Sequence, residues 1–429
     1  MSTFQIIALG VSAAFILIGV GVFATFGGAL GGSGTGQVII WGTVDSIAMD
    51  NIITTLRGTD ETFDEVVYIE KSSATYDTEL LNAMASGTGP DLFLVSSEKL
   101  HSFSDKIVTI PYRLVSQNVF VNSFVDASEM FLTSQGELAL PFLIDPIVMY
   151  WNRDLLSSAG IGSPPQYWND LLNMAPRITA LDRSNITKSA ISIGTWSNVA
   201  HAKEILSILF MQAGDRVVVR GTDGGLLPVL GAAAVGGSAD APSALRFYTD
   251  FANPSKTTYS WNRSLPLSTN AFIAGDAALY LGFVSEFNVI AARNPNLRFS
   301  VAQVPQVEGS LTSATFGRLL GLAIPRSAQN IEGAALVAER MVSPEAIAIA
   351  AKATGLPPVR RDVTFDTSDN ASAGVFAQAA LIARAWIDPN PQSTDTIFQT
   401  MIESVISGAE EPASAVSNAS RELQQLVGR

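Results

Sequence analysis

The apolar positions of this chain fall into three regimes. The first is the run "FQIIALGVSAAFILIGVGVFATF", uncharged from Phe4 to Phe26 and long enough to cross a bilayer as one helix. No Lys or Arg precedes it, so an uncleaved anchor is expected; small residues nearby leave a cleaved signal peptide as the alternative. Gly19, Gly21 and Ala24 match a dinucleotide fingerprint in form only, because no strand and crossover surround them, and they read as membrane-helix packing. The second regime is "GGALGGSGTG", residues 27–36, a flexible tether with ends about 17 Å apart as a random coil. The nearest basic residue is Arg57, so loop charge gives no orientation.

The third regime alternates strand-like and helix-like segments. "QVIIWGTV" reads as a buried strand, "DSIAMDNIITTLR" as a helix, "EVVYIEK" as a strand, "YDTELLNAMASG" as a helix stopping at Gly87, and "PDLFLVS" as a third strand. This βαβαβ order predicts a parallel sheet with right-handed crossovers. Ligands on such sheets sit at the carboxyl ends of the strands, which places Trp41 to Val44 and Val95 to Ser97 at a prospective site; Trp41, Thr43, Ser96 and Ser97 are candidates there, with Asp45 beside them. A second series follows through "KSAISIG", "HAKEILSILFMQAG", "ALRFYTDFA" and "DAALYLGF"; "FSVAQVP" and "LLGLAIP" return to strands, and the last third is mostly helical. One sheet, then another, then a return predicts two α/β lobes joined by several crossings, with a small-molecule site between them.

Composition removes several functions. A formal charge of −13 and a pI near 4.6 leave no basic stripe for nucleic acid or an anionic membrane surface. With no cysteine there are no disulfides, thiolate nucleophiles or Cys-held metals, and His101 and His201 are too few and too far apart in sequence for a His-rich metal site. No cofactor is expected.

Within "PFLIDPIVMYWNRDLL", Asp145 is one acid in an otherwise apolar and aromatic run, and a carboxylate removed from water needs a partner. Two kinds of role are open to it: accepting hydrogen bonds from a ligand, or serving the fold by capping a local turn before Pro146 or accepting backbone N–H groups at a hinge.

The segments "LNAMASGTGPDLFLVSS", "LPFLIDPIVMYWNRDLLSSAGIGSPPQYWNDLL" and "FIAGDAALYLGF" resemble the signature segments of family 1 extracellular solute-binding proteins, the group that includes maltose-binding protein and feeds bacterial ABC importers. The resemblance implies a type II periplasmic-binding-protein-like fold of two α/β lobes, a hinge of several strands and a closing cleft. Lobe 1 is expected from residues 37–142 plus 299–343, and lobe 2 from 143–298 plus 344–429. It implies a monomer on the extracytoplasmic side of the cell membrane, with a small solute and an ABC permease as partners. In sugar-binding relatives the acid matching Asp145 accepts ligand hydroxyls. Tyr76, Ser96, Ser97, Asn198, Phe283 and Ser285 are carried over from segments that match cleft-lining regions. The chain departs from most Gram-positive members, which are held by a lipid-modified cysteine.

Sugar rings present apolar C–H faces that flat side chains cover. Trp41, Trp196, Trp261 and Trp386 lie on predicted loops or strand ends and are candidate stacking walls, each open to core packing instead. Trp151 and Trp168 are assigned to the core. A sugar or oligosaccharide is therefore the expected solute. Two other classes stay open: a sensor domain reporting to a membrane partner, and a carbohydrate-active enzyme using two of Asp45, Asp145, Asp276 and Glu286. No Gly-x-Ser-x-Gly, P-loop or His-Glu-x-x-His motif supports the last, and a non-enzyme is expected.

Overall fold

A computed structural model describes residues 35–113, 115–221, 224–232, 240–310, 312–365 and 371–428. The expected anchor, Phe4 to Phe26, lies outside the described residues, as does most of the tether. Among the described residues no helix is long and apolar enough to cross a membrane.

The first elements form where the apolar spacing places them. In the helix Ser46–Arg57, Met49, Ile52, Ile53 and Leu56 are buried along one face, and the Asp45 carboxylate caps its start by accepting from the Ala48 N–H at 3.1 Å. The helix Tyr76–Ser86 stops at Gly87, whose φ of 69° is the left-handed conformation that favours glycine. Between and after these helices run β1 (Val38–Gly42), β2 (Val66–Glu70) and β3 (Leu92–Ser96), with β1 pairing in parallel to both neighbours.

Two short ladders lie off the main sheet, β4 (Ile110–Pro111) with β5 (Gly136–Glu137) and β9 (Val218–Arg220) with β10 (Leu226–Pro228). The remaining strands are β6 (Leu140–Asn152), β7 (Ala180–Asp182), β8 (Asn185–Ile191), β11 (Ala277–Phe283), β12 (Phe299–Ala302), β13 (Thr315–Ala323) and β14 (Ala383–Arg384). With β1 to β3 they make a ten-stranded mixed sheet in the order β2-β1-β3-β13-β6-β11-β8-β7, with β12 on β6 and β14 on β13.

β6 makes that sheet continuous. Its first half pairs antiparallel with β13, and its second half pairs antiparallel with β11 and β12. Two separate hydrophobic cores flank it. One takes β1 to β3, Leu140 to Ile144, and Leu319 to Ile324; the other takes Ile147 to Tyr150, the core of β11, and the helices Ala202–Gln212, Ala241–Asp250, Pro391–Ile406 and Pro412–Val427. The helix Pro344–Thr354 packs into the first core through Ala346, Ile347 and Ala350, although the expected boundary at residue 343 assigned it to the second lobe. Its seat is fixed by packing against the helix Ser46–Arg57, a partner almost three hundred residues away that no local pattern reveals.

Candidate functional site

The two strands that pass from one core to the other each carry one charged side chain at the passage. On β6, Ile144 belongs to the first core and Ile147 to the second, with Asp145 and Pro146 between them. On β13, Phe316 belongs to the second core and Leu319 to the first, with Gly317 and Arg318 between them. The antiparallel register places Arg318 opposite Asp145. A side chain at such a crossing leaves both cores, which is why an acid and a base are tolerated in apolar strands.

Asp145 is tied to one side of the passage and Arg318 to both. The backbone N–H of Ser285, just beyond β11, donates to Asp145 Oδ1 at 3.0 Å. Arg318 Nε donates to Glu98 Oε1 at 3.2 Å on the first-core side, and its guanidinium carbon lies 4.1 Å from the ring centre of Phe283 on the second-core side, a cation–π contact. Burial pushes the half-buried Asp145 carboxyl up to about 6, with Glu286 adding to the rise while hydrogen bonds from Ser285 and the Arg318 charge oppose it. Arg318 is held above its ordinary value: burial opposes its charge, but Glu98, Glu204 and Asp145 outweigh it.

Asp145 and Arg318 line a cavity of about 400 Å³ together with Thr43, Ser73, Tyr76, Asp77, Ser96, Glu98, Lys99, Leu143, Leu320 and Leu356. Lys99 pairs with Asp77 at 3.0 Å, so the cavity's bases are each matched by an acid. Two smaller hollows, of about 300 and 360 Å³, involve the C-terminal helices and lie away from this passage. Leu356 touches both cores, so the cavity floor lies at their junction.

Facing it from the second core is a hydrogen-bonded chain. His201 Nε2 and Glu286 Oε1 are 2.6 Å apart, and Glu286 Oε2 accepts from the Tyr280 hydroxyl at 2.6 Å. Although burial opposes it, the bonds from His201, Tyr280 and the Phe283 N–H hold Glu286 below the usual carboxylate range. The His201 ring meets Phe283 edge-on at 4.8 Å between centres. Glu204, one turn into the helix that His201 begins, is raised by burial and by Glu98 across the passage.

Of the residues nominated from sequence, Thr43, Tyr76, Ser96 and Asp145 line the cavity, and Phe283 and Ser285 contact Arg318 and Asp145. Tyr76 is buried and its hydroxyl is committed to the backbone oxygens of Trp41 and Leu94, at 3.1 and 3.0 Å; burial pushes its phenol far above the ordinary range. Several others have structural employment. Asp45 is the helix cap. Ser97 Oγ accepts from the Leu319 N–H at 3.1 Å, fastening β3 to β13. Asn198 is buried, with Nδ2 donating to the carbonyls of Asn262 and Leu265 and Oδ1 accepting from Trp261 Nε1.

The expectation that Trp261 and Trp386 are stacking walls is corrected. Trp261 is 0% exposed in the second core, and Trp386 is buried there, parallel to Phe398 and donating to Ser207 Oγ at 3.1 Å. The loops that carry them fold inward because each indole N–H finds an acceptor. Trp196 is half-buried against the second core. Trp41 is half-buried with the Lys71 ammonium 3.8 Å above its ring, so one face is already covered by a cation. Trp168 is core, as expected, with Nε1 donating to Gln212; Trp151 is half-buried beside it.

Sequence reasoning passed over Arg318, Glu98, His201 and Glu204. For Arg318 a signal existed: in "FGRLLGLAIP" it is a lone charge in an apolar strand, the same anomaly that singled out Asp145. The other three stand in loops or at a helix start, and only the fold brings them together.

Among solved structures, the chain is similar to a cyclic α-maltosyl-1,6-maltose binding protein of Arthrobacter globiformis, at 17% identity and a TM-score of 0.75 over 91% of this chain and 99% of that one. It is similar to UgpB of Mycobacterium tuberculosis, solved with glycerophosphocholine, at 18% identity and a TM-score of 0.71 over 92% and 99%. It is also similar to an ABC transporter solute-binding protein of Thermotoga lettingae bound with α-D-tagatose, at 22% identity and a TM-score of 0.66 over 91% and 99%. At these identities the likeness establishes the two-lobed fold. A curated binding protein of Brucella abortus is 28% identical over 108 residues, which span about a quarter of either chain (25% and 26%). The model of the bacterial extracellular solute-binding protein family matches residues 58–348, over half of the 429-residue sequence. This chain belongs to the bacterial extracellular solute-binding protein family.

Proposed function

We propose that the protein captures a neutral carbohydrate in the cleft between its two lobes and delivers it to an ABC importer, held at the outer face of the cell membrane by the uncharged apolar run Phe4 to Phe26. The observation that carries this reading is the pair Asp145 and Arg318, the charged residues where β6 and β13 pass between the cores, lining one polar cavity. A carboxylate with unused lone pairs beside a guanidinium suits hydroxyl groups that both donate and accept. The matched charges of Lys99 with Asp77 and Arg318 with Glu98 favour an uncharged solute. The tagatose bound in one related structure and the sugar for which another is named agree with that class, while glycerophosphocholine in the third defines the chief competitor. Solute-binding families act by capture rather than by catalysis, and the fold supplies closure: a ligand touching both lobes stabilises the closed state by its differential affinity.

Calorimetric titration against a glycan panel that includes glycerophosphocholine, paired with small-angle scattering, tests this. A glycan that binds and compacts the protein supports it. Binding of glycerophosphocholine alone replaces the solute class, and binding without compaction removes cleft closure. Membrane retention of the full-length chain tests the anchor; complete release with a new N-terminus near Gly27 identifies a signal peptide instead.

A further inference from the structure

Arg318 is placed as a reader of the ligand as well as a member of the crossing. Its Nε is committed to Glu98, and the flat of its guanidinium rests on Phe283. Among the described residues its two Nη nitrogens make no hydrogen bond, although the side chain is only 35% exposed and lines the cavity. A guanidinium held at one nitrogen and on one face has a fixed plane, so the direction of its remaining N–H groups is set before any ligand arrives. Opposite it in register, Asp145 is fixed through Oδ1 by the Ser285 N–H and has lone pairs to offer. A fixed donor fork thus stands beside a fixed acceptor.

We propose that Arg318 is a specificity-determining residue of the cleft: its Nη nitrogens donate to one hydroxyl of a vicinal diol while Asp145 accepts from the neighbouring hydroxyl, with Glu98 as the positioning residue. This rests on the carbohydrate reading of the cleft and goes beyond it by naming the ligand feature that is recognised. The feature is a pair of adjacent hydroxyls, so the site distinguishes a sugar from its monodeoxy analogues at those carbons. A buried polar site rejects an analogue lacking the group it is built to bond more strongly than an apolar pocket rejects a missing methylene. Lysine in place of Arg318 keeps the positive charge but loses the planar fork, which makes Arg318→Lys the discriminating variant.

The experiment is calorimetric titration of the full-length protein with D-tagatose, maltotriose and mannotriose, followed by monodeoxy analogues of whichever binds most tightly. Wild type, Arg318→Lys, Asp145→Asn, the double variant and Glu98→Gln are compared, with melting curves for each. The wild type should prefer the parent sugar over one or two deoxy analogues by at least about tenfold, the loss of one charge-assisted hydrogen bond. Arg318→Lys should weaken the parent sugar by a similar factor and flatten the preference at one carbon. Asp145→Asn should flatten it at the adjacent carbon, and the double variant should fall short of the product of the single effects. Glu98→Gln should weaken binding while preserving the preference, because it loosens the fork without removing it. Unchanged sugar affinity in Arg318→Lys, or deoxy preferences that persist in it, overturns this inference while leaving the carbohydrate reading intact. A wild type that binds none of these sugars overturns both. Melting temperatures that fall in step with affinity reduce Arg318 to a structural member of the crossing.

Discussion

Arg318 on β13 stands in register with Asp145 on β6, and both lie where their strands leave one hydrophobic core and enter the other. An acid and a base in apolar strands would each be costly inside a core. Between cores they become a polar lining, with Glu98 reaching Arg318 from one side and Ser285 reaching Asp145 from the other. The sheet supplies the geometry: β6 runs uninterrupted from Leu140 to Asn152 and holds Asp145 opposite Arg318 where the two cores meet.

Asp145 makes stability depend on pH. Its carboxyl is raised to about 6 by burial, from an ordinary value of 3.8, so the folded state holds its proton more tightly than the unfolded state. The sign follows: its contribution favours folding at low pH and is lost as pH rises through about 6. Asn stays neutral throughout, so the stability of wild type relative to Asp145→Asn should fall by up to about 3 kcal/mol between pH 4 and 6.5. Urea melts of both proteins across that range measure the difference. Parallel curves would mean that the carboxyl is fully hydrated in the open cleft.

Glu137 extends the same effect to higher pH. It is 0% exposed on β5, and among the described residues neither carboxylate oxygen has a partner in another residue; burial lifts it from 4.5 to about 7. Stability relative to Glu137→Gln should therefore keep falling up to about pH 7.5, beyond the point where the Asp145 difference has levelled off. A Glu137 difference that is flat above pH 5 would place a compensating cation beside it.

Much of the architecture was legible. Apolar spacing and Gly87 mark the strands β1 to β3 and the helices between them, and the lone acid in the β6 segment marks a position that needs a partner. The tryptophans mislead because loop position does not imply exposure. Trp261 and Trp386 sit in loops that turn inward, made possible by Asn198 and Ser207 as indole acceptors, and neither pairing is local: Asn198 is 63 residues from Trp261 and Ser207 is 179 from Trp386. The His201, Glu204 and Glu98 grouping was equally invisible, since it depends on two lobes facing each other.

That correction has a direct test. Trp261→Ala and Trp386→Ala each empty a packed site and strand a polar partner, so each should lose about 3–5 kcal/mol of stability. Trp41→Ala and Trp196→Ala remove half-buried rings and should cost less than about half of that. Denaturant midpoints for the four variants decide it. A mild effect of Trp261→Ala on stability with a large effect on glycan affinity would return that residue to the cleft.

The second core also contains a buried cation whose removal should be revealing. Lys203, on the helix Ala202–Gln212, is 8% exposed; its ammonium lies 3.1 Å from Asp388 and 2.5 Å from Asp395. Asp388 is 3% exposed and also accepts from the Thr394 hydroxyl at 2.8 Å, so the cluster fastens the segment after Trp386 and the helix Pro391–Ile406 to the core helix. Burial raises the Asp388 carboxyl even with Lys203 present to oppose it. In Lys203→Met the methylene stem is retained but Asp388 loses its counter-charge, and breaking such a pair should cost about 3–5 kcal/mol near neutral pH. Without the ammonium the carboxyl rises further, so the folded state gains a proton that the unfolded state lacks, and the deficit should shrink as pH falls. Adding Asp388→Asn to Lys203→Met should recover part of the loss at pH 7 and abolish its pH dependence, whereas Asp395→Asn, at the half-exposed partner, should recover little. Equal recovery from the two second substitutions would mean that the cost comes from packing of the stem and not from the stranded charge.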